Sequence, residues 1–319
     1  MVHERSYTMK ITARRILSCA LCVCMMIVCT MQIAYAKVPT SEDKWDTIDI
    51  TVEDLLDCGY TREEADRLLE FDRVLKKMEE YGQKVDLDEK EEVYITVGSD
   101  GQNHLEQKEE ALVKSMVLDM IQESQSATYT REQAYDQLAT KIQEDPNQHV
   151  YTVQLGEHSM LRATVTYKDV PHDGIVTNGA PLLQDQYQFF EYGEKYIEYE
   201  LEETLLGAYA KVQIEATAVS TEEQMELQGI RTAQASIGII DIQNASRNVI
   251  SEVATEVGDY CEASNDVVFS YEGSVGGTLK GVISLSISAG ANWTQKAMIR
   301  AHKTSAFGIV WTMADVYTV

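Results

Sequence analysis

The chain has 319 residues, 44% of them hydrophobic, with 52 acidic against 27 basic side chains and a formal charge of −25. That length suits one large domain or two smaller ones. The acidic excess excludes a general nucleic-acid binder, because phosphate contacts need Lys and Arg.

Residues 1–36 have the pattern of a Sec-type signal peptide. Arg14 and Arg15 precede an apolar run over 16–33, and Ala34-Tyr35-Ala36 supplies the small-x-small cleavage site. Cleavage between Ala36 and Lys37 is expected, giving a secreted, extracellular protein with no stable transmembrane segment after processing. Met9 is an alternative start to Met1. Cys19, Cys22, Cys24 and Cys29 leave with the signal, so Cys58 and Cys261 remain, either as a disulfide or as two buried thiols.

Residues 37–50 read as a flexible polar leader, and 51–147 as a mainly helical acidic region. Thr51-Val52-Glu53-Asp54 and Thr61-Arg62-Glu63-Glu64 match the capping box, which predicts two helices joined tightly at Gly59-Tyr60. That Gly-aromatic turn resembles the one in small ubiquitin-associated-type helical modules, a likeness that implies no function here. The acidic run 86–92 lacks the ligand spacing of a calcium loop and reads as solvated charge. A strand is expected over 93–97, then helices over 104–122 and 130–144.

From residue 148 the apolar period drops to two. Tyr151, Val153 and Leu155 alternate with polar residues, and Leu161, Ala163, Val165 and Tyr167 resume after a turn. Further strands are expected over 196–206, 208–218, 232–242, 248–257 and 267–271, with Glu200, Glu202 and Glu203 marking a solvated face. Pro181 is the last proline, which permits long strands with no missing ladder donor. The fold class is therefore α+β: a small N-terminal helical region, then a β-rich domain over 148–319. That domain is expected to be a predominantly antiparallel β-sandwich or partly closed barrel.

Residues 273–314 hold 42 consecutive positions without Asp or Glu. Leu279, Ile283, Leu285, Ile287, Ala289, Ala291 and Trp293 fall on odd positions and Lys280, Ser284, Ser286, Ser288 and Asn292 on even ones, an alternation that predicts strands. Lys280, Lys296, Arg300 and His302 fall on the even, polar side. They are the candidate binding residues, suited to an anionic cell-wall polymer, a lipid surface or a protein partner.

Chemical motifs are scarce. Zinc-ligand spacings, Gly-x-Ser-x-Gly and phosphate loops are absent from the sequence. Gly276-Gly277 reads as a turn with no helix after it, which argues against a phosphate site there. His172-Asp173 reads as a polar turn, and Tyr187, Phe189, Phe190, Tyr192, Tyr196 and Tyr199 as aromatic packing in the sheet. Asn244-Ala245-Ser246 and Asn292-Trp293-Thr294 match the glycosylation tripeptide. No cofactor, metal or catalytic residue is expected. The expected function is that of a secreted, non-enzymatic binding protein. The alternatives are a membrane-acting, pore-forming-like protein using 278–290 in a β-hairpin, and a secreted hydrolase without a recognisable motif.

Overall fold

Both threonine-led capping boxes form. A computed structural model describes residues 48–98, 101, 104–126, 129, 131–145, 148–169, 183–184, 187–190, 192–251, 253–287, 292–303, 307–312 and 317–318. In it Thr51 caps helix α1 (Val52–Asp57) and Thr61 caps α2 (Arg62–Glu80). In each, the carboxylate three residues on accepts from the threonine N–H at 2.8 Å. Each cap contributes about 1 kcal/mol by satisfying donors the helix leaves open. Helix α2 buries Ala65, Leu68, Phe71, Val74, Leu75 and Met78, the one-sided spacing of an amphipathic helix. Helices α3 (Gln107–Ser126) and α4 (Arg131–Glu144) follow the short hairpin β1 (Val85–Leu87) and β2 (Val93–Ile95).

The β region forms two further antiparallel sheets. One has the order β11-β9-β8-β7-β4-β3 and contains β3 (Val150–Gln154), β4 (Met160–Asp169), β7 (Gly193–Leu205), β8 (Ala208–Ser220), β9 (Met225–Gly238) and β11 (Val253–Ala254). The other has the order β10-β12-β13-β14-β6-β5. Its strands are β5 (Leu183–Gln184), β6 (Tyr187–Phe190), β10 (Ile240–Ser251), β12 (Tyr260–Tyr271), β13 (Asn292–Lys303) and β14 (Phe307–Thr312), with β15 (Tyr317–Thr318) also on β13. Neither sheet closes into a barrel, so the fold is α+β and sheet-rich. The second sheet lies over β7, β8 and β9 of the first. Trp293, Ala297, Ile299 and Ala301, on the odd side of β13, are buried there. Helical and strand residues share one hydrophobic core within the unit Trp45–Val319. Residue 148 is thus a change of secondary structure inside that core.

Three local expectations are corrected. The strand expected over 232–242 is two strands, because the chain leaves one sheet for the other at Gly238. That residue has φ +81°, and a Cβ there would lie 2.1 Å from the Gly207 carbonyl oxygen, so only glycine fits the corner. Glu202 and Glu203 are buried, at 5% and 1% exposure, because the end of β7 is covered on both faces. Glu202 points to Cys58 at the end of α1, and Glu203 accepts a hydrogen bond from Gln295 of β13 at 2.7 Å.

The third correction concerns 278–290. Residues Gly277–Ile287 form an α-helix, α5, and not a strand. Leu279 and Ile283, which fit a period of two, also fit the four-residue spacing of a helix face, and both are buried. The deciding contact is distant. Asp86 of β1 accepts from the Leu279 N–H at 2.8 Å, capping the helix from 193 positions away. Gly276 makes room for it, since a Cβ there would meet the Asp86 carboxyl at 2.2 Å. Gly276-Gly277 therefore does precede a helix, and Asp86, read as solvated charge, already occupies its N-terminus. The membrane-hairpin reading loses the strand on which it rested. The signal segment 1–36, the leader residues before 48 and His172-Asp173 lie outside the described residues.

Candidate functional site

A cleft of about 270 Å³ opens at the seam between helices and sheet. Three turns and two helices position its walls. The α1–α2 turn contributes Cys58, Gly59 and Tyr60; α2 contributes Glu64, Arg67 and Leu68; α3 contributes Met116. Glu157 and His158 come from the β3–β4 turn and Gln154 and Met160 from the strand ends that flank it, while Leu206 and Gly207 come from the β7–β8 turn and Thr204 from the end of β7. The Tyr60 hydroxyl pins the helical wall to the sheet by donating toward the carbonyls of Leu205 at 3.2 Å and Ala208 at 3.1 Å. Leu68, Met116, Met160 and Leu206 make the lining partly apolar.

Charged groups surround that lining. Glu64 sits 3.3 Å from Nδ1 of His158 while also closing the Thr61 capping box, so its carboxyl is held below the usual range, first by the threonine hydrogen bonds. The guanidinium of Arg67 is anchored through Nη2, which donates to Asp119 at 2.6 Å and to Ser115 at 2.7 Å. Glu157 extends from the turn into solvent. Its carboxylate, Nε2 of His158, and Nε and Nη1 of Arg67 have no partner among the described residues.

Beneath the cleft lies a buried polar network. Cys58 Sγ donates to Glu202 Oε1 at 3.0 Å, and the Tyr209 hydroxyl donates to the same oxygen at 2.7 Å. Arg162 adds a charge 3.7 Å from Glu202 Oε2 and donates to the Asp57 carbonyl at 2.6 Å. Burial, then the adjacent Glu202 carboxylate, pushes the Cys58 thiol up to about 12. Only about one molecule in 10⁵ would then carry the thiolate at neutral pH, so Cys58 is poorly suited to nucleophilic attack. The Thr204 hydroxyl is engaged with both the N–H and the carbonyl of Met160. Among the described residues, no group of His, Cys, Asp and Glu converges as metal ligands. Cys58 and Cys261 are buried free thiols.

The four basic residues chosen from sequence lie elsewhere. Lys296, Arg300 and His302 share the outer side of β13. Arg300 is held at 2.5 Å by Glu262, its neighbour on β12, and its guanidinium carbon lies 4.7 Å from the centre of the Tyr260 ring. His302 packs against the same ring, with centres 5.6 Å apart. Burial and then Arg300 lower its pKa. Lys296 lies opposite Asp266 in the register. Lys280 is on α5 instead, 5.9 Å from the centre of the Tyr271 ring, where burial and then nearby Lys84 lower its pKa. Tyr199 is a core residue, and Tyr196 donates to Glu215 at 2.5 Å.

The chain matches no family model, no curated protein and no solved structure.

Nothing in the sequence singled out the cleft. Its residues come from four separate stretches, and each is ordinary in its own. The two capping boxes were the one legible signal, because they set the α1–α2 turn that forms one wall.

Proposed function

We propose that this is an exported, non-enzymatic binding protein that takes a small polar ligand in the cleft between its helices and sheet. The observation that carries the reading is a partly apolar pocket of about 270 Å³ bordered by Nε and Nη1 of Arg67, Nε2 of His158 and the Glu157 carboxylate, none of which has a partner among the described residues. A concave site with an apolar lining and a few convergent polar groups is the usual form of a small-molecule site. The neutral, deeply held Cys58 thiol and the occupied Thr204 hydroxyl favour binding over covalent catalysis there. Export is supported by the pattern of residues 1–36. No helix among the described residues is long and apolar enough to cross a membrane.

The outer side of β13 supports binding of an anionic polymer less well. Glu262 and Asp266 stand across from Arg300 and Lys296, so the surface alternates in sign. The test is a thermal-shift screen of small metabolites against the wild type and Leu206→Trp, which would fill the cleft. At least one compound should raise the wild-type midpoint and leave the variant's unchanged, since ligand binding to the native state alone stabilises it. Equal shifts in both proteins, or none in the wild type, would refute the cleft as a binding site.

A further inference from the structure

We infer that the cleft takes a small zwitterion with an apolar body, of the chemistry of a free aliphatic amino acid or a short peptide; this rests on the reading of the cleft as a binding site. Three features combine. An anionic end is provided for by Nε and Nη1 of Arg67, donors with no partner among the described residues. Asp119 holds that guanidinium through Nη2, and Glu64, itself in the cleft wall, faces Nδ1 of His158. A guanidinium braced this way keeps part of its donor fork pointing at a ligand carboxylate.

A cationic end is provided for by the Glu157 carboxylate, on the same turn as His158. The overall charge of −25 adds a field that favours positive groups anywhere on the surface. A purely anionic ligand would meet that field and Glu157 together. A purely cationic one would leave Arg67 desolvated beneath it. A molecule carrying both charges satisfies both sides.

Between the charged groups, Leu68, Met116, Met160 and Leu206 form the apolar part of the lining. A volume of about 270 Å³ corresponds to roughly nine water molecules at ~30 Å³ each, room for an aliphatic amino acid or a dipeptide. The lining residues sit on α2, α3 and short turns pinned by the Tyr60 hydroxyl, so the site is pre-formed.

The experiment is calorimetric titration of the full chain with L-leucine, leucyl-leucine, leucinamide, N-acetylleucine and glucose, repeated for Glu157→Gln and Arg67→Gln. Glu157 is exposed and Arg67 partly so, and circular dichroism would confirm that the variants fold. Leucine or leucyl-leucine should bind, and whichever is tighter separates the amino-acid source from the peptide one. Removing either ligand charge should weaken binding about tenfold or more. Glu157→Gln should weaken leucine and leucinamide but not N-acetylleucine, and Arg67→Gln should weaken leucine and N-acetylleucine but not leucinamide. Equal binding of leucine and its two singly charged derivatives, or indifference to both substitutions, would overturn the zwitterion. Failure of every leucine compound to bind would also overturn it. Glucose binding that Leu206→Trp abolishes would overturn the ligand class while leaving the cleft as the site.

Discussion

The cleft and the outer side of β13 both carry charge, and they differ in how its neighbours are supplied. On β13 the antiparallel register places each residue directly opposite a neighbour, and the neighbours of Arg300 and Lys296 are Glu262 and Asp266. Arg300 is ion-paired with Glu262, whereas Lys296 faces Asp266 in the register with no ion pair between them among the described residues. In the cleft, charged residues arrive on turns and on a helix face, where no register supplies a partner. Arg67 is held by Asp119 through Nη2 yet keeps Nε and Nη1 open among the described residues, and Glu157 keeps its carboxylate. Acid-free sequence did not show that Arg300 is paired, because Glu262 is distant in sequence and adjacent in space.

The largest expected effect tests how deeply the network below the cleft is sealed. With the Cys58 thiol at about 12 and the Cys261 thiol at about 11, both raised first by burial, a thiol reagent at pH 8 should modify neither native thiol appreciably. Labelling in denaturant, where the ordinary value near 8.5 returns, should accelerate by about a thousandfold or more for Cys58 and by about a hundredfold or more for Cys261. Rapid native labelling of Cys58 alone would mean that the cleft floor is open and its thiol available for chemistry.

Next comes the carboxylate that holds the floor together. Glu202→Ala should cost about 3 kcal/mol in urea unfolding, because it strands Arg162 and Tyr209 in a buried site. A loss below about 1 kcal/mol would place the network in the same class as the β13 pairs.

Like charges make the converse case. Glu272, buried after β12, is raised to about 7, first by burial and then by hydrogen bonding and repulsion from Glu79, with Asp241 and Asp72 adding to it. Its folded value lies above its unfolded one near 4.5. Its contribution to stability is therefore full below about pH 4.5 and is lost as the pH rises through 7. Glu272→Gln should flatten this part of the stability profile and gain about 2 kcal/mol at pH 8. Parallel profiles for wild type and variant would remove Glu272 from the account.

The smallest effect belongs to β13. Lys296→Gln should change stability by no more than about 0.5 kcal/mol, since the residue is partly exposed and makes no ion pair among the described residues. Co-sedimentation with cell-wall sacculi and anionic liposomes should likewise be the same for Lys296→Gln and wild type at low salt. Salt-sensitive binding that Lys296→Gln abolishes would move the cationic surface ahead of the cleft.

Local signals were legible because their causes are local. The capping boxes at Thr51 and Thr61, the apolar stripe of α2 and the alternation along β8 all lie within a few residues, and all form as expected. The α+β class followed from them. What tertiary structure decided involved partners far along the chain. Asp86 made a helix of Gly277–Ile287 by supplying a cap from 193 residues away, against an alternation that favoured a strand. Burial of Glu202 and Glu203 required layers on both faces of β7, whereas the pattern of one strand can announce only one covered face. The cleft belongs wholly to this second kind. Periodicity determines which side of an element is apolar, but the meeting of three turns depends on how those elements pack.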